Sequence, residues 1–345
     1  MDGITDNENP MLSVCLITYN HEAYIREAID SVLMQKTNFP IEIVIGEDCS
    51  TDNTRNLCIE YKEKFPDIIK LLLPEKNVGA RQNFINTINM CKGKYIALCE
   101  GDDYWTDPLK LQKQVDFMEA NEEYSITCHR YTIINEMKEE KQDDYVATIF
   151  EREKNPEGII FTAQDNFKTW FTKTMTVVFR NDQDWSQILL KYKIPRDTHL
   201  FYHILKDNKG YCFGFNGAVY RRHFGGIFSP ISRGERLLTA LKCYVDLCFQ
   251  NKDDTDLKNI CEATLNDFEA YMGIGLIYRK YPFFYLTWFK DIIKLYSVIP
   301  KYIFYQMFFL SIGKVFKRHC RVIRSKKDGK TQNIERQFLR ILMNQ

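Results

Sequence analysis

The stretch KYIALCEGDDYWTDP, residues 94–108, joins an apolar run to a crowd of carboxylates within one turn of chain. Residues 95–99 read as a buried strand bounded by a turn. Glu100, Asp102 and Asp103 stand at its end. Carboxylates held that close repel one another, and a bound divalent cation is the usual compensation. Mg²⁺ and Mn²⁺ take carboxylate oxygens and share their remaining positions with substrate phosphates. The competing reading is a solvated acidic turn that caps a helix beginning near Pro108.

The elements that must carry this turn follow from hydrophobic period. Residues 12–18 are apolar and β-branched and run into Thr18-Tyr19-Asn20. Residues 22–34 place Ile25, Ala28, Ile29, Val32 and Leu33 at helical spacing. A second strand, 41–46, ends in Glu47-Asp48, and Ser50 or Thr51 is placed to cap a helix over 52–65. A strand over 68–73 and a helix over 80–91 precede the strand at 95–99. This alternation predicts a parallel α/β sheet, in which ligands bind beyond the carboxyl ends of the strands. All three polar clusters lie at such ends. Beyond them the pattern predicts a helix over 108–121, a strand over 124–131, a charged loop over 138–157 and a strand over 174–179. A helix ends near 188–193, another runs from 197 to about 206, and 210–215 with 218–222 read as a hairpin or two short strands.

The balance of 47 basic and 46 acidic residues argues against a nucleic-acid partner. Eleven cysteines without a CxxC pair, mostly in apolar runs, read as reduced thiols of a cytoplasmic chain. Residues 1–10 are polar and acidic, unlike a secretory leader, and read as a disordered tail. From 235 the pattern is helical, over 237–251 and 256–271. Residues 278–316 are rich in aromatic and aliphatic side chains and lead into KVFKRHCRVIRSKKDGK. That order suits an interfacial helix on the inner face of the plasma membrane. A helical subdomain packed on the main domain, with a solvated basic end, fits it equally.

VCLITYN, EDCSTDNT, NVGARQN and GKYIALCEGDDYW, in that order, resemble the family-2 glycosyltransferases. The resemblance spans 11–121 closely and continues more loosely to 226 through TVVFR and YRRHFGG, as in bacterial members that build surface polysaccharides. It implies the Rossmann-like GT-A fold over 11–230, a mostly parallel central sheet flanked by helices. Residues 11–121 would form the nucleotide-sugar half and 122–230 the acceptor half, with a helical region over 231–345. It implies transfer of a sugar, with inversion, from a nucleotide-diphosphate sugar, a UDP-sugar above all, to a glycan or lipid-linked acceptor. By the same resemblance Tyr19, between Thr18 and Asn20, stacks on the base, and Asp48 hydrogen-bonds it. Glu47 stands where Asp is usual, which leaves its role open, and Arg81 approaches the diphosphate. Asp102 falls to the ribose, Asp103 to the Mn²⁺ or Mg²⁺ ion, and Glu100 stands where many members have Asp. Asp197 matches the general base in position, although a carboxylate opening a helix is also favourable with the helix dipole. Arg221 and Arg222 can clamp the diphosphate and His223 can add a metal ligand, the alternative being a basic turn. Trp105 reads as a wall of the sugar pocket or as core. Trp185 reads as structural, and His199 with His203 as core or surface histidines rather than a metal pair. A nucleotidyltransferase would bring a glycine-rich phosphate loop where Thr18-Tyr19-Asn20 stands. A non-catalytic nucleotide-sugar-binding scaffold would not need Asp102, Asp103 and Asp197 together.

Overall fold

A computed structural model of the chain describes residues 10–155, 157–192, 195–226 and 233–261, together with 263, 264 and 267. The tail before Pro10 and the aromatic and basic segments from 278 onward lie outside them. Strand β1 (Leu12–Thr18) leads to helix α1 (Ile25–Leu33), β2 (Ile41–Glu47), α2 (Thr54–Lys64), β3 (Ile69–Leu72), α3 (Ala80–Met90) and β4 (Tyr95–Glu100). Then come β5 (Tyr104–Trp105), α4 (Lys110–Ala120), β6 (Tyr124–Asn135), β7 (Glu140–Asp143), α5 (Ala147–Glu153), β8 (Gly158–Phe161) and α6 (Ala163–Thr169). A 3-10 turn (Thr174–Thr176) precedes β9 (Val178–Arg180), α7 (Trp185–Leu190), α8 (Asp197–Leu205), β10 (Lys209–Arg222) and α9 (Arg233–Gln250). Compactness divides the chain into two units, 1–231 with 246–260 and 232–245 with 261–345.

The strands form one sheet in the order β3-β2-β1-β4-β9-β6-β10-β5, with β7 beside β6 and β8 beside β10. It is parallel across β3, β2, β1 and β4, and again between β6 and β10. β9, β5, β7 and β8 run antiparallel to their neighbours. Side chains alternate between its faces. Leu12, Val14 and Leu16 of β1 pack with Ile25 and Ile29 of α1 on one face. Cys15 of β1 joins Ile85 and Ile88 of α3, Leu189 of α7 and Leu200 of α8 on the other. Each such aliphatic side chain, fully buried, contributes about 1.5–3 kcal/mol.

Four expectations change. Ser50 and Thr51 do not cap α2; its N-cap is Asn53, without a side-chain cap bond. Their polar groups bond Asn20 instead. The charged loop at 138–157 holds β7 and α5, because the β6 edge supplies backbone partners that need no apolar alternation. Residues 174–176 form the 3-10 turn rather than the start of a strand. The hairpin at 210–222 is one strand, β10, carried through Asn216 by register shifts that absorb extra residues.

At the amino ends of the strands the backbone is tightly braced. Ser13 Oγ donates to the buried Glu42 carboxylate, and the Gly93 amide donates to Ser13 Oγ at 2.8 Å. A Cβ at Gly93 would stand 2.5 Å from the Ser13 nitrogen and 2.7 Å from the Leu12 carbonyl carbon, both immovable backbone. Beneath β5, Lys110 has no exposed surface. Its ammonium donates to Gln114 Oε1 at 2.8 Å and lies 4.2 Å from the centre of the Trp105 ring. Burial pushes its pKa down to about 7.

Gly93→Ala is expected to destabilise the fold by about 2–3 kcal/mol through this overpacking. Urea denaturation measures it, and a change inside about 0.5 kcal/mol contradicts the clash. Lys110 is depressed in the folded chain, so between about 7 and its unfolded value of about 10.4 the unfolded chain holds more protons. Its contribution to stability therefore rises with pH across that window, by up to about 1.4 kcal/mol per unit. Denaturation midpoints of wild type and Lys110→Met at pH 7 and 9 test this. Equal pH dependence in the two proteins would sink the assignment.

Candidate active site

The site is built from loops that leave the carboxyl ends of β1, β2 and β4. The β1 and β2 loops are laced together. Asn20, at φ 54°, takes Thr51 N–H on its side chain at 2.8 Å and gives its own amide to Ser50 Oγ at 2.9 Å. His21 N–H donates to Thr54 Oγ1, Glu22 N–H donates to Asp52 Oδ2, and the Glu22 carboxylate accepts Asn53 N–H. Thr18 is buried, whereas Tyr19 is 40% exposed and presents its ring to solvent. Asp48, also buried, accepts the Val78 and Gly79 amides at 2.7 and 2.9 Å. Glu47 is enclosed: it accepts Ser50 N–H and is paired with Arg55.

The acidic turn seats on β1. Gly101 N–H donates to the Ile17 carbonyl. A Cβ at Gly101 would come 2.4 Å from Thr18 Oγ1 and 2.9 Å from His21 Nδ1, so only glycine lets the turn approach. Asp102 Oδ2 lies 3.1 Å from His223 Nε2 and 3.9 Å from His21 Nε2. His21 is oriented by the 3.2 Å bond between its Nδ1 and Thr18 Oγ1. His21, Asp102 and His223 each offer an atom within 4.8 Å of the others, the one such cluster among the described residues. Burial works to raise the Asp102 carboxyl, but the His223 hydrogen bond and the His21 charge hold it below its ordinary value.

Asp103 sits apart from that cluster. It has no exposed surface; Oδ1 accepts Arg221 N–H at 2.9 Å and Oδ2 has no partner. Burial, then the charges of Asp102 and Glu100, push its carboxyl well up. Glu100 is raised by burial and Asp102, opposed by Lys173 and by the Thr174 hydroxyl, which donates to it at 2.7 Å. Lys173 stands 3.5 Å from the centre of the Tyr220 ring. Its burial disfavours charge, yet Tyr220, Glu100 and Asp103 hold its pKa above the ordinary value. Asp197, first residue of α8, is felt electrostatically at Glu100.

The other expected residues divide. Arg221 is a brace, since its guanidinium holds the Asp102 carbonyl at 3.0 Å, pairs with Glu27 and Glu136, and lies over the Tyr24 and Tyr104 rings. Arg222 lies over Tyr220 at 5.9 Å. Arg81, in the first turn of α3, acts electrostatically on His199 of α8. Trp105 is core: 1% exposed, with its indole N–H on the Met175 carbonyl. Trp185 is core too, at 3%. His199 is buried, and His203 is tied to the Tyr192 hydroxyl at 2.6 Å. Sequence reasoning missed His21 and Lys173. His21 was within reach, one residue beyond a polar strand end already singled out. Lys173 carries no local signal, because it is brought to the turn only by the pairing of β9 with β4.

Residues 13–224 match the model of the glycosyl transferase family 2. An uncharacterised protein of Mycobacterium tuberculosis is 32% identical over 251 residues, which is 70% of this chain and 70% of that one. TuaG of Bacillus subtilis, provisionally named a teichuronic acid biosynthesis glycosyltransferase, is 37% identical over 112 residues, 32% of this chain and 43% of its own. TarS 1-349 of S. aureus, solved in complex with UDP-GlcNAc, superposes with a TM-score of 0.60 at 17% identity, covering 85% of this chain and 82% of that one. The fold is therefore the GT-A fold that the motifs implied. By its match over residues 13–224 the chain belongs to glycosyl transferase family 2 and is a glycosyltransferase.

Proposed function

We propose that this enzyme moves a sugar, with inversion and with the help of a divalent metal ion, from a UDP-sugar to a hydroxyl of a glycan or lipid-linked acceptor in surface-polysaccharide synthesis. The observation that carries the reading is the convergence of His21, Asp102 and His223 on one point, beside Glu100, which feels the charges of both Asp102 and Asp197. Ligand atoms around one ion at ~2.1 Å stand about 3 Å apart as neighbours and about 4 Å apart across it. A spread of 4.8 Å closes to that with small side-chain movements. Two imidazoles and one carboxylate suit Mn²⁺ better than Mg²⁺, which prefers oxygen. Asp102, rather than Asp103, is then the carboxylate ligand. A cation held there would neutralise charge on the departing diphosphate.

The chain's own groups supply the rest. Tyr19 stacks on the base, and Asp48 accepts from its ring N–H with the lone pairs that Val78 and Gly79 leave unused. Asn20 and Glu47 act by holding those loops in place. Arg81 and Arg222 stand at the rim for the diphosphate. Asp197 takes the proton of the attacking hydroxyl, and a single displacement by one base inverts the anomeric centre. The TarS complex with UDP-GlcNAc supports the nucleotide and TuaG supports the polysaccharide setting, each by likeness.

The aromatic and basic segments from 278 onward we read as peripheral attachment to the inner face of the plasma membrane, on their order in sequence. Among the described residues no helix is long and apolar enough to cross a membrane.

Turnover of a panel of UDP-sugars with Mn²⁺, read as sugar release to water, tests the catalytic reading. Asp102→Asn and Asp197→Asn are each expected to lower kcat by roughly 10²-fold or more, and Asp102→Asn to weaken Mn²⁺ binding by calorimetry. Wild-type rates in both variants would remove the assignment. Sedimentation with anionic vesicles tests the membrane reading: deleting 278–345 should abolish it, and undiminished sedimentation refutes it.

A further inference from the structure

We propose that His199 is a positioning residue that locks the first turn of α8, and with it Asp197, through a two-point tie to Arg196. The inference rests on Asp197 acting as the base.

α8 opens without a conventional cap. Arg196, at the N-cap position, is extended (φ −144°, ψ 172°) and its guanidinium has no acceptor to offer the helix. Asp197 does not cap from outside either: its Oδ1 accepts the N–H of its neighbour Thr198 at 2.8 Å. The tie is made from within the helix. His199 N–H donates to the Arg196 carbonyl at 3.0 Å, and Arg196 N–H donates back to His199 Nδ1 at 3.2 Å. An imidazole thus does at the third helical position what Glu or Gln does in a capping box. The two bonds straddle Asp197 and leave its backbone little freedom.

The imidazole is itself clamped. His199 has no exposed surface, and the Tyr192 ring covers it at 4.3 Å between centroids. Tyr192 is pinned in turn by its hydroxyl on His203. Nε2 faces the Asp246 carboxylate of α9 at 3.6 Å. Burial, then the charges of His203, Arg196 and Arg81, press the His199 pKa down to about 4. The ring is therefore neutral at physiological pH. With Nδ1 accepting, the proton belongs on Nε2, facing Asp246, and a ring flip would break both relations. A histidine kept only for packing would need neither.

Asparagine and leucine separate the two roles. The Asn side chain puts its oxygen where Nδ1 stands, and Leu fills a similar space with no acceptor to offer. In the full chain, turning over the UDP-sugar that the panel selects, His199→Leu is expected to lower kcat by roughly ten- to a hundredfold with donor KM within about twofold. His199→Asn should recover kcat to within about threefold. Hydrogen exchange at the Arg196 amide should accelerate in His199→Leu and not in His199→Asn, a readout independent of turnover. In an Asp197→Asn background, His199→Leu should cost nothing further in kcat. If Leu and Asn behave alike in both readouts, the positioning role is wrong even where Asp197→Asn is inactive. If Asp197→Asn retains full activity, the base reading fails first, and the exchange result alone judges the tie.

Discussion

The structure depends on holding three carboxylates within one turn at the end of a buried strand. Asp103 is the extreme case, with no exposed surface and one oxygen unpartnered. An uncompensated buried charge costs several kcal/mol, so the turn survives only because the fold around it supplies donors and counter-charge. Arg221 gives its backbone N–H to Asp103 and its guanidinium to the Asp102 carbonyl. Lys173, just before the 3-10 turn that leads into β9, adds a counter-charge.

The same constraint explains why Gly101 interrupts the acidic run. Thr18 and His21 press against it, and that contact aims His21 at Asp102. A β1 loop laced to the β2 loop by Asn20, Ser50 and Thr51 cannot drift from this position. The acidic turn and the β1 and β2 loops are thus tied together by hydrogen bonds, and such fixed positioning is what discrimination of a transition state requires.

Much of the frame was legible from period and turn chemistry. The strands β1, β2 and β4 and the helices α1 and α3 announce themselves because their apolar spacing matches their burial. β10 did not, because Asn216 and Gly217 look like a turn, and only pairing with β6 carries the strand through. β7 is fully exposed and charged, and its strand state comes from the edge it joins. Arg221 reads in sequence as a diphosphate clamp and Glu47 is left open, because side-chain type does not say whether a charge faces substrate or is spent inside the protein.

The chain by itself determined the α/β alternation, the polar strand ends and the family, since these are local patterns repeated in a fixed order. Tertiary structure alone decided how the acidic turn divides: Asp102 joins His21 and His223, Asp103 is enclosed against Arg221, and Glu100 faces Thr174. It also decided that His199 serves the first turn of α8. The hydrogen-bond partners of the acidic turn's side chains lie 74 to 121 residues away along the chain, and His21 falls within the same range. Adjacent carboxylates are chemically alike in sequence, and only the neighbours brought to each one tell them apart.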